Sequence, residues 1–128
     1  MGHRFRKHYT REEARALLPQ IQEWLQHLKH LHQRLGQYDQ RLSQLLRQDL
    51  DLGGGTVNDW IRTLCDTQRV LREFLRRDIQ VKDLNRGLID FPAIIGGREV
   101  FLCWEQDEED IAFWHDLDTG YAGRERLP

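Results

Sequence analysis

Cysteine is scarce in this chain: 128 residues carry two, Cys65 and Cys103, one inside a helical pattern and one inside a strand pattern. Two such positions make no disulfide framework, and a reducing compartment is the simplest expectation. Long apolar runs are absent, since no stretch approaches the roughly 20 uninterrupted apolar residues that cross a bilayer. Met1 to His8 is basic but has no apolar core of a signal peptide, so a cytoplasmic protein is expected, with no membrane partner. An excess of one charge is also missing. Lys and Arg total 19 against 21 Asp and Glu, a net charge of −2, which argues against generic attraction to nucleic acid. The halves differ: residues 1 to 80 hold 14 basic and 10 acidic side chains, residues 81 to 128 hold 5 and 11. Finally, no Cys-x-x-Cys or His-Glu-x-x-His string is present, and Gly53-Gly54-Gly55-Thr56 lacks the Lys-Ser/Thr of a phosphate-binding loop.

What is there is periodic. Thr10-Arg11-Glu12-Glu13 has the form of a capping box, in which the Thr10 hydroxyl and the Glu13 carboxylate each take a free backbone N–H. From Leu17, apolar residues recur at Ile21, Trp24, Leu28, Leu31, Leu35, Tyr38, Leu42 and Leu45 in steps of four and three. That is a heptad seam, and it predicts a helix over residues 10–50, bent near Pro19. A second helix is expected over 56–78, capped by Thr56, with Val57, Ile61, Leu64, Leu71 and Leu75 as its stripe and the three glycines as the turn of an antiparallel hairpin.

Beyond Asp78 the pattern becomes short β-rich runs. Gly96-Gly97 signals a two-residue hairpin. If Ile95 faces Arg98, then Ala93/Val100, Phe91/Leu102 and Ile89/Trp104 stack on one face, as a half-buried sheet requires. The expected fold is one domain over 1–128, α+β: a long, coiled-coil-like antiparallel helical hairpin followed by a three-stranded antiparallel meander over 87–116, with an irregular tail over 117–128.

Two further strings, Val81-Lys82-Asp83-Leu84-Asn85-Arg86-Gly87-Leu88-Ile89-Asp90-Phe91-Pro92 and Trp114-His115-Asp116-Leu117-Asp118-Thr119-Gly120-Tyr121-Ala122-Gly123-Arg124, flank Gly97-Arg98-Glu99-Val100-Phe101-Leu102-Cys103-Trp104. With the Tyr9-to-Arg15 opening and the glycine turn, they resemble an uncharacterised bacterial family, domain of unknown function 2203. The resemblance covers nearly the whole chain. It implies a small bacterial cytosolic protein and brings no activity, substrate or cofactor.

Two functional readings compete. About 23 residues of the second helix span only about 35 Å, against roughly 60 Å for the first. The unpaired edge Leu17, Ile21, Trp24 and Leu28 then needs a cover, either the chain's own sheet or a second protomer. The leading expectation is a non-enzymatic interaction module that forms a symmetric homodimer there. The alternative is a metal-dependent or acid–base enzyme on the sheet, with Asp90, Cys103, Glu105 and His115 as candidates and a divalent metal ion as the implied cofactor. Its bland counterpart is structural hydrogen bonding. One register separates them: a four-residue turn after Glu105 sends His115 to the apolar face, whereas a five-residue turn sends Phe113 and His115 to the face of Asp90 and Cys103. His27, His30 and His32 and the Arg69, Arg72, Arg76 and Arg77 stretch are expected to be solvated.

Overall fold

The computed structural model describes residues 2–48 and 54–128. Helix α1 (Arg11–Arg47) begins at the anticipated box: Thr10 Oγ1 accepts the Glu13 N–H at 3.1 Å, and the Glu13 carboxylate accepts the Thr10 N–H at 3.0 Å. The helix continues through Pro19. Its expected last residues, 49 and 50, lie outside the described residues, as does Gly53 of the expected turn. Helix α2 (Gly54–Leu75) starts two residues before Thr56, so Gly54 and Gly55 are helical and Thr56 is not the cap.

The end of α2 is built from local hydrogen bonds. Asp78 takes a left-handed conformation (φ 58°), its N–H donates to the Leu75 carbonyl, and the Ile79 N–H donates to the Phe74 carbonyl, both at 3.1 Å. This is a Schellman motif with an aspartate where glycine is usual. The Asp78 carboxylate in turn accepts the N–H groups of Arg6 and Lys7 at 3.1 and 3.0 Å, pinning the N-terminal segment beside it.

Five strands follow rather than three: β1 (Gln80–Asp83), β2 (Leu88–Ile95), β3 (Arg98–Glu105), β4 (Phe113–Asp116) and β5 (Glu125–Arg126), neighbours in sequence order and all antiparallel. The two unexpected strands are the edges. β1 is short, with its register slipping between Val81 and Asp83, and β5 has two residues in what the sequence suggested was an irregular tail. Neither is long enough to announce itself by alternation. The β2–β3 hairpin matches expectation pair for pair, from Ile95 opposite Arg98 to Ile89 opposite Trp104. Gly96 and Gly97 both have positive φ (58° and 77°), as a tight two-residue hairpin turn demands.

Ile89, Phe91, Ala93, Val100, Leu102 and Trp104 form the inner face of the sheet, and α1 lies on it. The expected exposed edge of α1 is therefore corrected. Ile21 and Leu28 are buried, and Leu17 and Trp24 are half-buried against the same core. The sheet covers the part of α1 that outruns α2, because the helix buries a wider arc than a heptad seam: Ala14, Leu18 and Leu25 are buried as well. Trp24 turns to α2 and meets Phe74 edge-on, ring centroids 5.2 Å apart.

α2 departs from expectation by one residue around the helix. Its buried side chains are Thr63, Val70 and Phe74, not the stripe through Ile61 and Leu71. Thr63 escapes notice as a core residue because its polar atom is satisfied locally: its hydroxyl donates to the Asp59 carbonyl at 2.8 Å, and Thr67 repeats the bond onto Thr63. Ile61, Leu71 and Leu75 are left 47%, 43% and 73% exposed. No helix among the described residues is long and apolar enough to cross a membrane.

Candidate functional site

The outer face of the sheet holds the polar residues singled out from the sequence. β4 pairs with β3 so that Cys103 faces Phe113 and Phe101 faces His115, which is the register of the five-residue turn. Asp90 is directly opposite Cys103 across β2 and β3. Three strands thus bring Asp90, Cys103 and His115 together, with one potential ligand atom from each lying within 4.8 Å of the other two.

Glu105, the fourth candidate, is not among them. It lies at the end of β3, where its carboxylate pairs with Arg86 from the β1–β2 connection.

The imidazole is held at both nitrogens. Nδ1 lies 2.7 Å from the backbone carbonyl of Asp116, and Nε2 lies 3.0 Å from Asp90 Oδ2. A carbonyl only accepts, so Nδ1 carries a proton and donates it. The Nε2 to Oδ2 contact then contains one proton, belonging to the imidazole or to the carboxyl. Asp90 Oδ1 has no hydrogen-bond partner among the described residues.

The cover over this set is aromatic and cationic. The rings of Phe101 and His115 lie 5.5 Å apart, Phe5 from the N-terminal segment packs on Phe101, and Lys82 Nζ stands 5.1 Å from the Phe101 ring. On the other side the Arg124 guanidinium stacks 3.9 Å from the Phe113 ring centroid and 4.3 Å from Tyr121. Its two Nη atoms donate to the Glu108 carboxylate at 3.1 and 3.0 Å, and Nη1 lies 3.9 Å from Cys103 Sγ. Asp90, Cys103 and His115 are consequently 1%, 0% and 2% exposed.

Burial governs the electrostatics. It pushes the Asp90 carboxyl above its ordinary range, against the pull of His115. It pushes the Cys103 thiol up to about 12, with the charge of Asp90 adding to the effect and Arg124 opposing it. A thiol so placed is neutral near pH 7 and is no nucleophile, because the reactive form is the thiolate.

A second metal-like group, His3, His8 and Glu99, escaped the sequence reading. It forms because the N-terminal segment folds back over β3. The N–H groups of Arg4 and Phe5 donate to Glu99 at 2.7 and 3.0 Å, and His8 Nε2 lies 2.7 Å from the same carboxylate. No spacing in the sequence marks it, since Glu99 is 91 residues from His8 and the two meet only through tertiary structure.

A groove of about 530 Å³ lies beside the C-terminal half of α2, lined by Leu71, Phe74, Leu75, Ile79 and Val81. It lies where the exposed stripe of α2 reaches the edge strand β1. Of the arginines on this helix and just beyond its end, Arg69 and Arg76 reach Asp66 and Glu73, each at 3.5 Å, while Arg77 stacks 5.0 Å from the Trp24 ring centroid.

Fold and site together define an α+β protein in which a long helix and a shorter antiparallel partner cover one face of a five-stranded meander, with an Asp–His–Cys set sealed on the other. The chain belongs to the family described as Uncharacterized conserved protein (DUF2203), whose model matches residues 7–127. No curated protein and no solved structure matches it.

Proposed function

We propose that the chain is a non-enzymatic self-association module whose contact is the outer stripe of α2. The observation that carries this reading is the exposure of Ile61, Leu71 and Leu75 on one side of a helix. With Leu64, Cys65 and Gln68 they keep steps of three and four, the spacing of a helix–helix seam. Apart from Leu64, whose counterpart is Arg72, the stripe is also symmetric about its middle. Ile61 and Leu75 lie seven residues to either side of Gln68, and Cys65 and Leu71 lie three to either side. A two-fold axis at Gln68 would set Ile61 against the partner's Leu75 and Cys65 against the partner's Leu71 in an antiparallel pair, as an isologous contact requires.

The charges nearby are satisfied without a partner, since Arg62 reaches Asp59 at 3.8 Å and Arg69 and Arg76 reach Asp66 and Glu73 at 3.5 Å, so the apolar stripe and its symmetry about Gln68 carry the case for a second copy. Cytoplasmic residence fits the same reading, because Cys65 and Cys103 are free thiols and Cys65 is exposed on the stripe.

The test is sedimentation velocity over a range of concentrations, with disulfide trapping. A dimer that dissociates in Leu71→Asp/Leu75→Asp, and a Cys65→Ser/Gln68→Cys variant that oxidises to a covalent dimer, are the expected results. A wild-type monomer at high micromolar concentration would overturn the proposal, as would a dimer indifferent to the aspartates.

The competing reading, an acid–base enzyme on the sheet, is opposed by burial. Asp90, Cys103 and His115 are sealed from solvent, Glu105 stands apart from them in its pair with Arg86, and the thiol is neutral. The unpartnered oxygen of Asp90 favours only the metal-binding half of that reading.

A further inference from the structure

We infer that Asp90, Cys103 and His115 form a buried binding site for a single divalent transition-metal ion, Zn²⁺ by the chemistry of its donors. The inference is independent of self-association through α2, because the site lies on the outer face of the sheet.

Three observations converge on it. The first is the donor set itself. A carboxylate, a thiolate and an imidazole are ligands that a borderline-soft ion accepts together, whereas Mg²⁺ and Ca²⁺ take oxygen donors. All three ligand atoms already lie within 4.8 Å of one another.

The second is the outer contact of the histidine. Nδ1–H donates to the Asp116 carbonyl at 2.7 Å. That bond fixes the Nδ1 proton and leaves Nε2, the nitrogen facing Asp90, to offer its lone pair once the proton shared with Asp90 is displaced, the arrangement that supports metal-bound histidines generally.

The third is Asp90 Oδ1, a carboxylate oxygen on a side chain 2% exposed that meets no hydrogen-bond geometry among the described residues, the weak thiol donor of Cys103 being the only other proton offered to this carboxylate besides that of His115. Buried polar atoms are ordinarily paired, and one left unpaired at the centre of three ligand types has its explanation in an ion.

The charge balance is favourable. Without metal, the Asp90–His115 pair shares one proton and Cys103 holds another, so the three side chains sum to zero. Binding expels both protons and admits a doubly charged ion held by one carboxylate, one thiolate and a neutral imidazole, which again sums to zero. The buried face acquires no net charge on loading, so the exchange avoids the large penalty for burying an uncompensated ion. Lys82 and Arg124 flank the site as cations and are not ligands. The fourth position falls to the second oxygen of Asp90 or to water.

The site is closed by Phe5, Phe101, Phe113 and the Arg124–Glu108 clamp, so the ion is expected to enter during folding. The test uses the untagged full chain carrying His3→Ala and His8→Ala, which removes the exposed group at Glu99. The protein is unfolded, stripped with chelator and refolded with excess Zn²⁺ or Co²⁺, then desalted. Stoichiometric zinc by elemental analysis is expected, with a near-ultraviolet thiolate-to-cobalt band in the Co²⁺ form. Cys103→Ser is expected to lose that band, and His115→Gln to lose the metal. The inference is overturned by a correctly refolded protein that retains no metal. It is equally overturned by a Co²⁺ form without the thiolate band, since that needs no variant to fold, or by a metal content unchanged in the Cys103→Ser/His115→Gln double variant.

Discussion

The Tyr9 hydroxyl donates to the backbone carbonyl of Arg77 at 2.7 Å, joining the residue before the α1 cap to the chain just beyond α2. The same tyrosine donates its N–H to the Pro92 carbonyl at 2.7 Å and packs its ring edge-on against Phe91. One residue thus ties both helices to the middle of the sheet. Removing its hydroxyl by Tyr9→Phe leaves a carbonyl without its partner and should cost about 1–2 kcal/mol, measured by urea unfolding.

The same bond carries a pH signature. Burial raises the Tyr9 phenol from 10 to about 12, partly offset by the charge of Arg77. The folded state therefore holds this proton more tightly than the unfolded chain. Its contribution is complete below pH 10 and declines as pH rises toward 12. The stability difference between wild type and Tyr9→Phe should shrink across that window. A constant difference would show that the hydroxyl does not titrate with folding.

At the acid end, two carboxylates hold the fold. Asp110 is brought down to about 2 chiefly by the Arg15 guanidinium, at 2.8 and 2.9 Å, and by the Ile111 N–H. Glu99 also falls to about 2: its partial burial works upward but is outweighed by His8 and the N–H groups of Phe5 and Arg4. Groups with depressed folded values contribute fully above about pH 4.5 and lose their contribution as pH falls toward 2. Protection of the Arg4 and Phe5 amides against hydrogen exchange, relative to the unfolded chain, should fall through that window, and Glu99→Gln should lower it already at neutral pH.

The two faces of the helical pair should respond oppositely to truncation. Ile21→Ala opens a cavity beneath the sheet and should cost about 2–5 kcal/mol. Leu75→Ala, 73% exposed, should change the unfolding free energy of a dilute monomer by no more than about 0.5 kcal/mol while weakening self-association. Urea titration of dilute samples measures the first effect and sedimentation the second.

Gly87→Ala should be poorly tolerated. Gly87 has φ +64°, and a Cβ there would stand 2.5 Å from the Cβ of Gln106. The left-handed backbone alone costs about 1–2 kcal/mol for an L residue, and the contact adds to it. Gln106 is itself held by Lys29 and Gln22 of α1, at 2.6 and 3.1 Å, so it has little room to yield. The loss is read from the thermal midpoint.

The readings that survived are those decided by short-range physics. The Thr10 to Glu13 box, the glycine pair at 96 and 97 and the partners of β2 and β3 depend on neighbours in sequence and on one alternation pattern, and each appears as expected. Asp90, Cys103 and His115 were legible as chemistry-bearing residues for the same reason. Their meeting was not, because it turned on whether four or five residues follow Glu105, and neither choice wins on apolar burial alone. Tertiary packing also decided the buried side of α2. Two stripes lie one residue apart on that helix, and the one through Thr63, Val70 and Phe74 faces inward because Phe74 packs on Trp24 and Val70 joins the core, while the Thr63 hydroxyl, satisfied by its own backbone, tolerates the burial. It likewise decided the cover of α1, since a heptad pattern tells that a side chain wants burial but not whether a helix, a sheet or a second chain provides it. Alternation and capping are properties of the chain a few residues at a time, while the choice of face depends on contacts between residues far apart in sequence.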